Sequence, residues 1–171
     1  MVKRLSYHYD KLTSIIFAVV ISLLSMSMVW AEPRLDIEVK GRDGQTYSLS
    51  ELSGQVIYID FWASWCGPCR KSFPWMDEMH NKYSDKGLKI VAINLDFDST
   101  LADKFLQQLP AQFSIAYDVE HKVAKEFEIL GMPSSYLFNR KGELVSTHVG
   151  FYGENLMEYE TEIVKLLNES K

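Results

Sequence analysis

The sequence has few of the residues from which metal sites, disulfide frameworks and nucleic-acid surfaces are built. Its 171 residues include two cysteines and four histidines. Two cysteines exclude a multi-disulfide scaffold, and the histidines, which lie far apart, lack the paired spacing of a structural zinc site. The formal net charge is −5, so the basic clusters that bind a phosphate backbone are not expected. We therefore predict no metal site and no nucleic-acid partner.

The sequence also lacks an apolar run as long as the roughly 20 residues that cross a bilayer. An uncharged run of 15 residues, 15–29, follows a segment that carries three basic residues. This pattern, followed by Ala31, is typical of a secretory signal peptide. We predict cleavage after Ala31; the alternative is an uncleaved anchor with Trp30 at the membrane interface. In both interpretations residues 32–171 are exported to the periplasm. The protein would contact the membrane only if the leader is not cleaved.

The composition supports one packed domain after the leader. Hydrophobic residues make up 47% of the chain and aromatic residues 13%, which is too rich for a disordered protein. Charged residues at 24% are too many for a protein with several membrane spans. We therefore predict a single globular domain over 32–171, acting as a monomer.

Hydrophobic periodicity predicts alternating strands and helices. Alternation over 35–39 and 46–49 indicates an N-terminal β-hairpin, and the apolar stretches 56–62 and 88–95 are typical of strands buried on both faces. Further strands are predicted at 113–117, 135–138 and 143–149, and helices at 67–85, 100–109, 120–127 and 155–168. Pro74 should kink the first helix. The order indicates an α/β fold with a central mixed β-sheet flanked by helices.

Both cysteines lie in one motif, Trp65-Cys-Gly-Pro-Cys69, between a predicted buried strand and the first helix. The free N–H groups at a helix N-terminus favour negative charge, so the pKa of the Cys66 thiol should fall below about 8.5. Cys66 should then attack as a thiolate. Gly67 has no side chain and so leaves the Cys66 sulfur accessible. Pro68 fits the first helical turn because a backbone N–H at that position would have no intrahelical acceptor. Cys69, one turn further along, should be shielded and act as the resolving thiol.

The segment Asp60-Phe-Trp-Ala-Ser-Trp-Cys-Gly-Pro-Cys-Arg70 resembles the active-site segment of the thioredoxin superfamily. Together with the leader and the hairpin, residues 35–168 resemble the extracytoplasmic TlpA/ResA-like thiol-disulfide oxidoreductases. The resemblance implies a thioredoxin-like fold with a central helix-strand insertion near 100–117. It also implies that the redox-active disulfide Cys66–Cys69 is the only redox group, with no added cofactor.

The same resemblance implies roles for residues outside the cysteine motif. Asp60 matches a buried acid that moves the proton of the resolving thiol; the alternative is a carboxylate at a solvated strand end. Pro133 matches the family's cis-proline, which lets the backbone of Met132 pair with a bound substrate strand; the alternative is a trans loop proline. Trp65, with Gly67 and Pro68, is expected to contact substrate.

Trp62 and Pro74 are expected to be structural, and the residues around the cysteines do not fix the subfamily. Trp62 is expected to pack in the core, and Pro74 matches the helix-kinking proline of the family. TlpA/ResA-like members often carry a glutamate near the active site, whereas Asp60 and the Gly67-Pro68 dipeptide follow thioredoxin more closely. The subfamily, and with it the partner, therefore stays open.

The dipeptide between the cysteines predicts the direction of electron flow. Neither Gly67 nor Pro68 has a side chain that can donate to a Cys66 thiolate, so the reduced form should be only moderately stabilised and the pair should donate electrons. A reductant in an oxidising compartment must be recharged, and the resemblance implies that a membrane-embedded electron donor does so. The substrates would be disulfides in other exported proteins, for instance in cytochrome c maturation or copper-site assembly.

Other roles for the cysteine pair fit the sequence less well. A structural disulfide would close a very short loop and stabilise little. An oxidant would carry a histidine between the cysteines, and a redoxin-type thiol peroxidase needs a Thr-x-x-Cys motif where this chain has Ala63. Two thiolates could hold Cu(I) for delivery, with His148 as the one histidine late enough in the chain to be a third ligand. Copper delivery and peroxidase activity remain the alternatives to disulfide exchange.

Overall fold

The computed structural model describes residues 33–169, which are organised around one seven-stranded sheet. The leader predicted at residues 1–31 lies outside this part of the chain. Between residues 33 and 169, no helix is both long enough and apolar enough to cross a bilayer.

All of the strands and helices predicted within residues 33–169 are present, with ends shifted by a few residues. The strands are β1 (Glu38–Gly41), β2 (Thr46–Ser48), β3 (Val56–Trp62), β4 (Leu88–Asn94), β5 (Ser114–Tyr117), β6 (Ser134–Phe138) and β7 (Leu144–Val149). The helices are α1 (Cys69–Tyr83), α2 (Ser99–Gln108), α3 (Lys122–Glu126) and α4 (Leu156–Asn168). Three short 3-10 turns lie at Leu49–Leu52, Ser84–Lys86 and Gly153–Asn155. Pro74 lies within helix α1, and the kink predicted there stays a prediction.

The sheet is mixed, as the sequence predicted. Its strand order is β2-β1-β5-β4-β3-β6-β7. Strands β3, β4 and β5 run parallel, whereas the neighbours on both sides pair antiparallel. The helix-strand insertion, α2 and β5, places β5 between the N-terminal hairpin and β4. Strand β3 lies inside the sheet with all of its residues buried, which explains why its sequence is mostly apolar on both faces, with Asp60 as the exception.

Two apolar layers cover the two faces of the sheet. On one face, helices α1, α2 and α4 pack around Trp62, whose ring centroid lies 4.8 Å from that of Phe73 and 4.7 Å from that of Phe105. On the other face, α3 and the N-terminal segment pack around Phe61 and Phe127, with ring centroids 5.1 Å apart. Because both ends of β3 are held between these layers, the loop that follows Trp62 leaves the sheet at a well-defined position. That loop carries Cys66.

Candidate active site

The two cysteines form a disulfide at the junction between β3 and α1. Cys69 is the first residue of α1 and has no exposed surface, whereas Cys66 retains 4% exposure. The Cys69 backbone N–H donates to Cys66 Sγ at 3.2 Å. An N–H in the first turn of a helix has no intrahelical acceptor, so it is available to stabilise a thiolate on Cys66. The geometry therefore provides the electrostatic setting that the sequence predicted.

The rest of the cysteine loop is open to solvent. Gly67 has no atom within 4 Å of the position that a Cβ would occupy, and both Gly67 and Pro68 are exposed. Trp65 is also exposed, whereas Trp62, three residues earlier, is fully buried. A macromolecular partner can therefore approach the disulfide from the side of Trp65 and Gly67.

An exposed apolar surface lies beside the cysteine loop. A cavity of about 450 Å³ is lined by Trp65, by Phe97 from the β4–α2 loop, and by Leu130 and Met132 from the loop before β6. Trp65, Phe97 and Leu130 are all largely exposed. The Phe97 ring packs against His121 with centroids 4.6 Å apart. Exposed apolar patches of this kind mark interaction sites. Sequence reasoning missed Phe97 and Leu130; the available signal was a large apolar residue in each of two predicted loops.

Met132 and Pro133 form a tightly held loop next to this cavity. The Met132–Pro133 peptide bond is cis. The Pro133 carbonyl accepts a hydrogen bond from the Gly150 backbone N–H at 2.8 Å, and Ser134 Oγ donates to the Gly131 carbonyl at 2.7 Å. These bonds fix the loop on both sides of the proline, so the Met132 backbone is held beside the cavity that Trp65 also lines.

Asp60 lies in the middle of β3, on the face that packs against α1. Alternation along the strand places its side chain on the same face as Tyr58 and Trp62, which belong to the apolar cluster that contains both cysteines. Asp60 is 1% exposed, and its Oδ2 has no hydrogen-bond partner. The alternative of a solvated strand end is therefore wrong. Burial raises the pKa of the Asp60 carboxyl well above its ordinary value.

A second buried carboxylate, Asp96, holds the start of the cysteine loop, and the sequence did not reveal it. Asp96 accepts hydrogen bonds from the Ser64 backbone N–H at 2.9 Å, from Ser64 Oγ at 3.0 Å and from Asn94 Nδ2 at 2.9 Å. Ser64 is two residues before Cys66. Asp96 therefore helps to position the loop that carries Cys66.

We expect Asp96→Ala to loosen the cysteine loop. The substitution leaves the Ser64 N–H without an acceptor in a partly buried position, which should lower the free energy of unfolding by about 1–3 kcal/mol. Ser64→Ala is the matched control, because it removes one side-chain bond and should cost only about 0.5–1.5 kcal/mol. Urea unfolding and the alkylation rate of Cys66 in the reduced protein measure the two effects. If the two variants lose equal free energy of unfolding, Asp96 does not position the cysteine loop.

No cluster of three or more potential metal ligands occurs between residues 33 and 169. His148, the third ligand required by the copper-delivery alternative, lies on β7, where its ring contacts Ser135 and Glu162. The copper-delivery alternative therefore has no ligand set with the two cysteines in this part of the chain.

The chain resembles known proteins in both sequence and structure. The family model described as Redoxin matches residues 31–163. The thiol-disulfide oxidoreductase ResA of Bacillus cereus is 31% identical over 108 residues, which cover 63% of this chain and 62% of that protein. ResA of Bacillus subtilis is 26% identical over 123 residues, covering 72% of this chain and 69% of that protein. The matched part thus spans less than two thirds of the Bacillus cereus relative.

Solved structures agree with these matches. A protein from Chlorobium tepidum, described as a thiol:disulfide interchange protein DsbE, superimposes with a TM-score of 0.77 at 42% identity, covering 83% of this chain and 100% of that chain. StoA from Bacillus subtilis superimposes with a TM-score of 0.61 at 29% identity, covering 72% and 95%. The predicted thioredoxin-like fold is confirmed. The family match covers most of the chain, including the cysteine pair at the start of α1, and the chain therefore belongs to the redoxin family, within the thioredoxin superfamily and with ResA-like relatives.

Proposed function

We propose that the protein is an exported thiol-disulfide oxidoreductase that reduces disulfides in other extracytoplasmic proteins. The observation that carries the proposal is the Cys69 N–H at the start of α1, 3.2 Å from Cys66 Sγ. It stabilises a thiolate on the cysteine that faces the exposed loop, while the second cysteine is fully buried within reach of the first. The names of the ResA and DsbE relatives agree with this chemistry.

The reaction follows from the order in which the two sulfurs can act. In the reduced protein the Cys66 thiolate attacks a substrate disulfide; one sulfur–sulfur bond breaks, a mixed disulfide forms, and one substrate thiolate leaves. Asp60 takes the proton of the Cys69 thiol. The Cys69 thiolate then attacks Cys66 Sγ, the second substrate thiolate leaves, and two electrons have passed from the dithiol to the substrate. Burial suits Asp60 to this task because it raises the carboxyl pKa toward the range in which a proton is both taken and released.

The exposed apolar surface supports a polypeptide as the substrate. An extended segment around a substrate cysteine can pair with the backbone of Met132, beside Pro133, while its side chains contact Trp65, Phe97 and Leu130. This placement brings the substrate sulfur to the side of the loop on which Cys66 and Gly67 lie. The proposed partners are disulfide-containing exported proteins, such as those of cytochrome c maturation or copper-site assembly. The protein acts on them as a monomer.

The limited number of donors around Cys66 supports the reducing direction. One backbone N–H contacts its sulfur, and neither Gly67 nor Pro68 adds a side-chain donor. A moderately stabilised thiolate gives a low reduction potential, so the protein donates electrons and is recharged by a membrane-embedded donor.

The reduction potential of the Cys66–Cys69 couple tests this direction. We expect a value below about −220 mV when the purified protein is equilibrated with a thiol buffer of known potential, because strong oxidants of this type lie near −120 mV. Pro68→His is the matched variant: an imidazole next to the Cys66 thiolate stabilises it and should raise the potential by about 30 mV or more. A wild-type value near −120 mV would make the protein an oxidant.

A further inference from the structure

A row of polar residues crosses the sheet beneath the active site. Asp60 on β3 lies opposite Ser135 on β6, and Ser135 lies opposite His148 on β7. Residues directly opposite each other on antiparallel strands project to the same face, with Cβ atoms about 4.5–5.5 Å apart. The row therefore runs from the buried carboxyl of Asp60 toward β7, the strand at the edge of the sheet.

Hydrogen-bond contacts join the outer members of this row to the surface. Ser135 Oγ lies 3.4 Å from His148 Nδ1, and His148 Nε2 lies 3.2 Å from Glu162 Oε2 on α4. Exposure increases along the row: Ser135 is 5% exposed, the His148 side chain 19% and the Glu162 side chain 31%. The contacts thus lead from the core to solvent.

The inner end of the row borders a group that needs an exit for its proton. Asp60 is paired with Ala92 on one side, which is apolar, and with Ser135 on the other. Its Oδ2 has no hydrogen-bond partner, and burial of an unpartnered carboxyl among apolar residues costs free energy. Once Asp60 has taken the proton of Cys69, the strand neighbour that can receive this proton is Ser135.

We propose that Ser135, His148 and Glu162 relay the proton of Asp60 to solvent during thiol-disulfide exchange, an inference that rests on the role of Asp60 proposed above. The Asp60 O–H donates to Ser135 Oγ, the Ser135 hydroxyl donates to His148 Nδ1, and the Nε2–H of His148 passes to the Glu162 carboxylate, which releases a proton to water. One proton enters the row and one leaves it, and no electron moves. When the disulfide is reduced again, the same row returns a proton to the Cys69 thiolate through Asp60.

Other groups contact the members of this row. Tyr58, on the same face of β3, is buried and hydrogen-bonds with Ser135; burial, and after it the nearby Asp60, raises the pKa of its phenol well above the ordinary value, while the Ser135 hydrogen bond acts in the opposite direction. Tyr58 therefore keeps its proton near neutral pH. Tyr159 packs its ring against His148 with centroids 4.5 Å apart and holds the imidazole in place. Ser146 Oγ donates to Glu162 Oε2 at 2.8 Å and orients that carboxylate. Imidazole has two ring nitrogens, one of which can accept a proton while the other donates one, which suits His148 to the central position between Ser135 and Glu162.

The test separates the two chemical steps with a chromogenic aromatic disulfide as substrate. Reduced full-length protein releases one coloured thiolate when Cys66 attacks and a second when Cys69 resolves the mixed disulfide, so stopped-flow absorbance reports both rates. The variants are Ser135→Ala, His148→Ala and Glu162→Gln. Thr161→Ala, on the outer side of α4, is the matched control. Rates are measured between about pH 5 and 8, with a pH-indicator dye following proton release.

We expect each relay variant to slow resolution while the first attack keeps its wild-type rate. Because positioned proton transfer contributes about 10²–10⁴-fold, loss of one relay member should cost about tenfold, and proton release should lag behind disulfide formation. Imidazole added to His148→Ala should restore the rate, because a merely structural role would not respond to a soluble base. Glu162→Gln replaces a part-exposed group and keeps the test valid if a buried variant fails to fold.

The contrary outcomes are distinct from one another. If Asp60→Asn slows resolution and the relay variants do not, the relay is wrong and the role of Asp60 stands. If Asp60→Asn leaves resolution unchanged, the proposed role of Asp60 is wrong and the relay falls with it. Equal slowing of both chemical steps, with no rescue by imidazole, would assign the three residues to packing alone.

Discussion

Cys69→Ser should convert the protein into a trap for its substrates. Cys66 still sits beside the first N–H groups of α1 and still attacks, so the mixed disulfide forms. A serine hydroxyl does not attack a disulfide sulfur, and the buried position of residue 69 leaves little room for an external thiol to replace it. The mixed disulfide therefore accumulates, and turnover stops.

The expected effect is large because the natural resolving step is intramolecular. Well-oriented intramolecular groups act with effective molarities of up to roughly 10⁵–10⁸ M; an effective molarity of only about 1 M would already make the adduct about 10³-fold longer lived against a millimolar thiol in solution, and we expect at least this factor. Non-reducing gel electrophoresis and mass spectrometry of the adduct measure this lifetime. Cys66→Ser is the matched control and should form no adduct. If Cys69→Ser resolves its mixed disulfide at the wild-type rate, the assignment of the two cysteines is wrong.

Asp60→Asn should slow the second chemical step far more than the first. An amide has the size of a carboxylate but takes no proton from Cys69, and general-base transfer typically contributes about 10²–10⁴-fold. The attack by Cys66 depends on the helix N-terminus instead and should change little. The measurement is the rate of disulfide closure after a mixed disulfide has formed. A wild-type closure rate in this variant would remove Asp60 from the reaction.

The same substitution should change how stability depends on pH. Burial raises the pKa of Asp60 in the folded protein above the unfolded value of about 3.9, so the folded state binds the proton more tightly. The contribution of Asp60 to the free energy of unfolding is largest below about pH 4. It decreases as the pH rises toward and through the folded-state pKa, by about 1.4 kcal/mol per pH unit. Asp60→Asn should remove this decrease and be the more stable protein at alkaline pH.

Urea unfolding of wild type and Asp60→Asn across this pH range measures the difference in slope. Asp85→Asn, which changes an exposed carboxyl, is the matched control and should keep the wild-type slope. Because the two substitutions change the formal charge equally, a general charge effect would appear in both. Parallel curves for wild type and Asp60→Asn would show that the pKa of Asp60 is the same in the folded and unfolded states.

Local sequence patterns were enough to predict several strands, the first helix and the cysteine pair. The mostly apolar run of β3 predicted a strand buried on both faces, because a short stretch with apolar residues at both alternating positions requires cover on each side. The spacing of apolar residues after the cysteines predicted α1. The cysteine pair is itself a local feature, since two residues three apart at a strand–helix junction meet whatever the rest of the chain does. The fold class and the pairing of the two cysteines were therefore predictable.

The tertiary structure alone decided which distant residues meet around that motif. Asp96 reaches Ser64 because β3 and β4 lie side by side in parallel register, and Phe97 joins Trp65 at one cavity for the same reason. Hydrophobic alternation shows that a residue faces a core, but strand order and register decide its neighbours. Thus Asp60 could be identified as a buried acid from its sequence context, whereas its alignment with Ser135 and His148 arises only when β3, β6 and β7 pair.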